Sequence, residues 1–157
     1  MQDNRRSRLL IVSNRLPLKV AAGADGKAAV EPGSGGLVTA LAPVLRNRGG
    51  TWIGWPGVNA EQSPDNLSEL MEQAGAKLGY RIRPVSLTRK EVKLFYEGFS
   101  NEVLWPIFHD FPSLAEFDPA YWDAYRAVNR KYAEAVAEHG RPGDFIWIHD
   151  YQLMLVA

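Results

Sequence analysis

The sequence predicts an α/β fold built on a doubly wound, mostly parallel sheet, and three observations carry that prediction. Short apolar runs alternate with longer segments of helical periodicity along the whole chain. The apolar runs are rich in branched side chains, as in RLLIVS at residues 8–13, which suits strands buried on both faces. The intervening segments open and close on recognisable helix caps.

RLLIVS is the first strand, and Arg15 follows it in SNRLP, where a buried strand should end. A charge at that place pairs within the protein or with a solute. LKVAAGADGKAAVEPG then places an Asp25-Gly26 turn between two modest segments, the pattern of a small β-hairpin inserted after strand one. GSGGLVTALAPVLRNRGG opens on glycines, carries Leu37, Leu41 and Val44 at helical spacing, and closes at Gly49, with Pro43 set to kink it. TWIGWPG is a second strand ending in a Pro-Gly turn. In SPDNLSELMEQAGAKLG, Ser63 is placed to cap a short helix with Pro64 just inside, and YRIRPVSL is the next strand.

Thr88 and Glu91 form the Thr-x-x-Glu capping box, in which each side chain satisfies a backbone N–H of the first helical turn. Val92, Phe95 and Phe99 make that helix's apolar stripe. FDPAYWDAYRAVNRKYAEAVAEHG starts on Asp118 and Pro119 and stops at Gly140, with Tyr121, Tyr125, Val128, Tyr132 and Val136 facing inward. A last strand runs from Phe145 to His149, with Asp150 at its carboxyl end. YQLMLVA reads as the beginning of a helix, so the chain is expected to be cut from a longer protein.

Composition narrows the function. With 157 residues, 46% of them hydrophobic, one domain is expected. Eighteen basic residues balance eighteen acidic ones, which argues against nucleic acid as a partner. The absence of cysteine excludes disulfides, thiol nucleophiles and thiolate metal sites. No apolar run approaches the ~18 residues that cross a bilayer, and MQDNRRSR lacks a signal peptide's apolar core. A soluble, cytoplasmic protein with no membrane partner is expected. His109, His139 and His149 have no metal-ligand spacing, so no metal is expected either.

Ligands of open parallel sheets bind outside the carboxyl ends of the strands. Arg15, Trp55 and Asp150 all stand at such ends and are expected to converge. Gly35 and Gly36 stand at a helix start, where free N–H groups and the helix dipole favour a phosphate, although Gly-x-Gly-Gly is not a dinucleotide fingerprint. Taken singly, these residues keep plainer readings. The glycines fit an ordinary turn, Arg15 fits a surface ion pair worth roughly 0 to 1 kcal/mol, Asp150 fits a helix cap, and Tyr96 and Trp105 fit core packing.

Together, LLIVSNRLP, GSGGLVTAL, TWIGWPG, YEGFSNEVLWPIFH, YWDAYRAVNRKYAEAV and DFIWIHDYQLM resemble the trehalose-6-phosphate synthases in order and spacing over nearly the whole chain. The resemblance implies a glycosyltransferase of the GT-B type, two Rossmann-like domains facing across a cleft. It moves glucose, with retention, from UDP-glucose to glucose 6-phosphate, without a metal or other cofactor. Residues 1–157 would be the amino-terminal, acceptor-side domain, with the carboxy-terminal nucleotide-sugar domain absent. By the same resemblance Arg15 and Tyr96 hold the acceptor phosphate, Trp105 walls the sugar, and Asp150 accepts hydrogen bonds from acceptor hydroxyls as the catalytic carboxylate. Gly35 and Gly36 then offer N–H groups to the donor diphosphate, and Trp55 lies near the acceptor. The basic pair and the histidine beyond HDY that the family uses are missing, so the chain alone is expected to be inactive. A non-catalytic sugar-phosphate-binding or regulatory module is the alternative, as is a structural partner for a separately supplied domain; a homo-oligomer is left open.

Overall fold

Strand β1 (Leu9–Arg15) runs through the interior of the sheet, and its first four side chains are all buried, as a run apolar on both faces demands. The computed structural model describes residues 7–22, 28–33 and 35–157. Along one side β1 pairs in parallel with β4 (Gly50–Trp55), which pairs in parallel with β5 (Arg81–Pro84). Along its other side β1 pairs in parallel with β6 (Phe145–Ile148), giving the order β5-β4-β1-β6. The expected hairpin is present as β2 (Leu18–Ala22) against β3 (Ala28–Pro32), an antiparallel pair of its own. Its Asp25-Gly26 turn lies outside the described residues.

Alternation along the strands divides the core in two. Leu9, Ile11, Trp52 and Ile82 face α1 (Gly36–Arg48) and α2 (Leu67–Leu78), packing on Leu41, Leu45 and Met71. Leu10, Val12 and Ile53 face the opposite way, onto Phe95, Tyr125, Val128 and Tyr132. Helices on both faces of a parallel sheet are the doubly wound architecture the sequence predicts.

The helices differ from expectation in instructive places. In α1 the buried residues are Leu41 and Leu45, four apart, whereas Val44 is half-buried and Leu37 looks outward. Helix α2 starts at Leu67 rather than behind Ser63. A 3₁₀ turn, Ala60–Gln62, ends on Ser63, Leu67 N–H closes a turn onto the Pro64 carbonyl, and neither Ser63 nor Asn66 makes a side-chain cap. The Thr88–Glu91 capping box is present, with Glu91 N–H donating to Thr88 Oγ1 at 3.1 Å and Thr88 N–H to Glu91 Oε2 at 2.8 Å. After it, α3 (Arg89–Glu91) widens into a π-helix, Val92–Leu104, before α4 (Trp105–Phe108). Val92 and Phe95 stay inside, and Phe99 is half-buried.

Helix α5 (Pro119–His139) is capped as expected, the Asp118 carboxylate accepting from Ala120 N–H at 2.8 Å. Its buried stripe is Tyr125, Val128, Asn129 and Tyr132, flanked by half-buried Tyr121 and Val136. The Asn129 amide donates to Tyr125 O and Gln152 O and accepts from Leu155 N–H, which moors the last segment to the helix. That segment forms a 3₁₀ turn, Tyr151–Leu153, where the sequence suggested a longer helix starting. Among the described residues no helix is long and apolar enough to cross a membrane.

Burial pushes the Glu91 carboxyl up, but hydrogen bonds from Lys131 and Thr88 outweigh it and hold the group below its ordinary value. A depressed folded-state value adds stability above the unfolded value, and that stability is lost as pH falls through the folded one. In urea unfolding at neutral pH, Thr88→Ala is expected to remove about 1 kcal/mol. Glu91→Gln is expected to flatten the loss of stability on the acid side; an unchanged acid limb would show that this carboxylate does not contribute.

Candidate functional site

The pairing of β1 with β4 shifts register between Val12 and Arg15, and the polar groups released there are taken up one by one. The Ser13 hydroxyl donates to Arg15 O at 2.6 Å and accepts from the buried Trp52 indole N–H at 2.8 Å. The buried phenol of Tyr132, from α5, donates to Asn14 O at 2.7 Å, and Leu16 N–H donates to Trp55 O at 2.9 Å. The backbone that carries Arg15 is therefore held from three directions.

The Arg15 side chain leaves this frame over aromatic rings. Its guanidinium carbon lies 4.6 Å from the Trp55 ring centre and 5.7 Å from that of Tyr96. Trp55 is itself fixed by its indole N–H donating to Val58 O at 2.9 Å. Gly57, at φ 82°, turns the chain beneath it, where an added Cβ would stand 3.4 Å from Arg15 Nη1. Contacts of this kind are worth about 0.5–1 kcal/mol at exposed positions and leave the positive charge in place. Among the described residues no carboxylate forms an ion pair with Arg15. The plain surface-pair reading of this residue is thus not what the fold contains.

Arg15, Trp55, Tyr96, Asp150, Gly35 and Gly36 line one cleft of about 400 Å³ at the carboxyl ends of the strands. The convergence expected of Arg15, Trp55 and Asp150 is present, and Tyr96, Gly35 and Gly36 line the same cleft. The start of α1 has no side-chain cap and no acidic residue in its first turn, and a Cβ built on Gly35 or Gly36 would meet nothing within 4 Å. Its N–H groups and the positive end of its dipole are open to an anion.

Asp150 does two things at once. Its carboxylate accepts from Tyr151 N–H at 2.8 Å, capping the turn Tyr151–Leu153, and it also lines the cleft. It does so at φ 75° and ψ 165°, a region essentially reserved for glycine, at a cost on the order of 1–3 kcal/mol. Trp105 is not brought to the cleft. It lies nine residues beyond Tyr96, is 42% exposed, and stacks on His109 with ring centres 4.3 Å apart.

Two further residues emerge only from the structure. Asn14 Oδ1 and His149 Nε2 are buried atoms without a hydrogen-bond partner, and both residues line the cleft. Burial holds the His149 imidazole below its ordinary value, against the pull of Asp150, so the ring is neutral at neutral pH. The ring also stacks on Trp147, centres 4.8 Å apart. Each of the two residues can hydrogen-bond a hydroxyl held in the cleft. Their signal in the sequence is adjacency alone, each preceding a residue already placed at a strand end.

A family profile described as Glycosyltransferase family 20 matches residues 7–157. The chain belongs to this family. The trehalose-6-phosphate synthase of Mycolicibacterium vanbaalenii is 45% identical over 148 residues, covering 94% of this chain and 29% of the relative. Among solved structures, an α,α-trehalose-phosphate synthase (UDP-forming) from Burkholderia vietnamiensis matches with a TM-score of 0.69 at 35% identity, over 94% of this chain and 29% of the other. One from Burkholderia xenovorans, in complex with glucose-6-phosphate, matches with a TM-score of 0.66 at 30% identity and the same two coverages. The chain thus spans under a third of the length of these relatives, and its parallel α/β sheet is part of the glycosyltransferase fold they share.

The strained aspartate offers a clean separation of fold from site. Asp150→Gly is expected to raise the unfolding free energy by on the order of 1 kcal/mol, because relief of the dihedral strain outweighs loss of the cap. Asp150→Ala, which keeps the strain and loses the cap, is expected to lower it by about 1 kcal/mol. Urea unfolding of the three proteins checks both signs; a destabilised glycine variant would mean that the backbone there is not strained.

Proposed function

We propose that this chain supplies the acceptor side of a retaining glycosyltransferase that moves glucose from UDP-glucose to glucose 6-phosphate, giving trehalose 6-phosphate and UDP. The observation that carries this reading is the Arg15 guanidinium, set between the rings of Trp55 and Tyr96 without a carboxylate partner among the described residues, in one cleft with Asp150. A planar guanidinium makes two charge-assisted hydrogen bonds to a phosphate, and aromatic walls fix its direction. The relative solved with glucose-6-phosphate supports this choice of acceptor.

In this reading Tyr96 donates its phenolic O–H to the same phosphate. Asp150 accepts from acceptor hydroxyls, and the partnerless atoms of Asn14 and His149 complete the sugar's hydrogen bonds. The open first turn of α1, at Gly35 and Gly36, faces the donor diphosphate, while Trp55 flanks the acceptor. The sugar wall that the resemblance implies for Trp105 would stand beyond the residues that line this cleft. The acceptor oxygen attacks the anomeric carbon as the bond to the diphosphate breaks on the same face. The hydroxyl proton passes to the departing diphosphate oxygen, so no side chain has to act as nucleophile. Acceleration then comes from positioning and from N–H groups directed at the charge that develops on the leaving group. Cationic groups of a nucleotide-sugar domain would add to that stabilisation, so the acceptor half turns over only alongside such a domain.

Kinetics test the assignment of Arg15. With the donor-binding domain of a family relative joined to this chain, Arg15→Ala is expected to raise KM for glucose 6-phosphate by at least about tenfold, with a smaller effect on kcat. Arg15→Lys should recover only part of the loss, since lysine keeps the charge without the fork. An unchanged KM in Arg15→Ala, in a protein that still releases UDP, would overturn the proposal.

A further inference from the structure

The amino ends of the strands, on the edge opposite the cleft, hold a second concentration of charge. Arg8 precedes β1, Arg81 and Arg83 belong to β5, and Arg141 lies between α5 and β6. All four line one cavity of about 230 Å³, together with Thr51 and His139. Strand pairing explains the assembly. Arg81 stands opposite Thr51 and Arg83 opposite Ile53, so alternation puts both arginines on the sheet face that α5 covers, and α5 ends at His139 beside them.

Structural duties account for only one of the four. Arg8 forms a bidentate pair with Asp144, its Nε donating at 3.0 Å, and reaches His139 O at 3.4 Å. The C-terminus of α5 adds roughly half a negative charge, and Glu138, at the rim, is exposed. Arg83 donates only to the adjacent Ile82 O, at 3.3 Å. Among the described residues the guanidinium groups of Arg81 and Arg141 have no ion-pair partner. Burial lowers the Arg81 pKa, and the charges of Arg8, Arg141 and Arg83 lower it further, with the Asp144 carboxylate pulling the other way, so the four cations are near enough to feel one another.

We propose that this rim is a binding site for a small, multiply charged oxyanion of the phosphate class, separate from the acceptor cleft. Three arginines without carboxylate partners among the described residues line one polar cavity, and guanidinium groups suit phosphate oxygens in hydrogen bonding and charge. A neighbouring cavity of about 650 Å³, lined by Arg8, Arg81 and Arg83 as well as Gly50, Met71 and Tyr80, gives room for the organic body of a phosphorylated small molecule. The inference rests on the opposite edge of the sheet from Arg15 and stands independently of the acceptor assignment.

Pyrophosphate, which carries neither sugar nor base, is the probe. Titrated calorimetrically at low salt into the 157-residue chain, it is expected to bind saturably. The double variant Arg81→Gln, Arg83→Gln should weaken that binding by at least about tenfold, and Arg141→Gln by about threefold. Arg15→Ala is expected to remove only a second, cleft-bound equivalent of pyrophosphate and to leave the rim equivalent within about twofold. Should the double variant not fold, Arg141→Gln decides, because that side chain is exposed and the residue lies in a loop. Binding lost in Arg15→Ala and kept in the rim variants would place the anion in the cleft and overturn the proposal, as would an absence of saturable binding.

Discussion

A strand buried on both faces must pair every polar group of its backbone, and β1 has to stop doing so at the point where the ligand edge begins. The Ser13 hydroxyl resolves that conflict. It receives the indole N–H of Trp52, a ring sunk in one half of the core, and passes a hydrogen bond to the carbonyl of Arg15. Tyr132 reaches through the other half to the carbonyl of Asn14. A neighbouring strand and a helix therefore grip the same three residues, from the two halves of the core, and the direction of Arg15 follows from core packing rather than from a flexible loop. Removing the hydroxyl would strand a buried indole N–H and release the frame of the cleft together.

The cleft is costly to maintain. Asp150 holds a dihedral suited to glycine, at a cost on the order of 1–3 kcal/mol. Against a typical stability of about 5–15 kcal/mol this is a sizeable share. The two-sided core on β1 and β4 supports it, since those strands contribute side chains to both hydrophobic clusters. Charge is divided along the same axis. The carboxyl edge has one arginine backed by aromatic rings, with Asp150 in the same cleft, whereas the amino edge gathers four arginines around a smaller cavity. One sheet thus presents different chemistry at its two ends.

The sequence conveyed the architecture well because its signals are local. Branched apolar runs announced β1 and β4, Thr88 with Glu91 and Asp118 with Pro119 announced two helix starts, and strand ends announced Arg15, Trp55 and Asp150. What escaped depends on three-dimensional surroundings. The widened turn through Val92–Leu104 has no side-chain signature, and it left Phe99 less buried than an α-helical stripe implies. Leu45 replaces Val44 inside α1 because the sheet, not the periodicity, sets the helix's rotation. Asn14 and His149 matter because their atoms are buried without partners, a property of the fold that no pair of letters carries. The arginines at the amino edge are scattered over 8, 81, 83 and 141, in a chain whose formal charge is zero, so composition hid them.

The account's centre is that Arg15, held by β1 and its aromatic neighbours, waits for the phosphate of a sugar phosphate. Nuclear magnetic resonance of the chain titrated with glucose 6-phosphate, and in parallel with glucose, tests this most directly. The account requires glucose 6-phosphate to shift the Arg15 guanidinium, Trp55 indole and His149 ring signals together, at concentrations where glucose leaves them unmoved. Shifts confined to other parts of the molecule, or identical responses to both sugars, would contradict it.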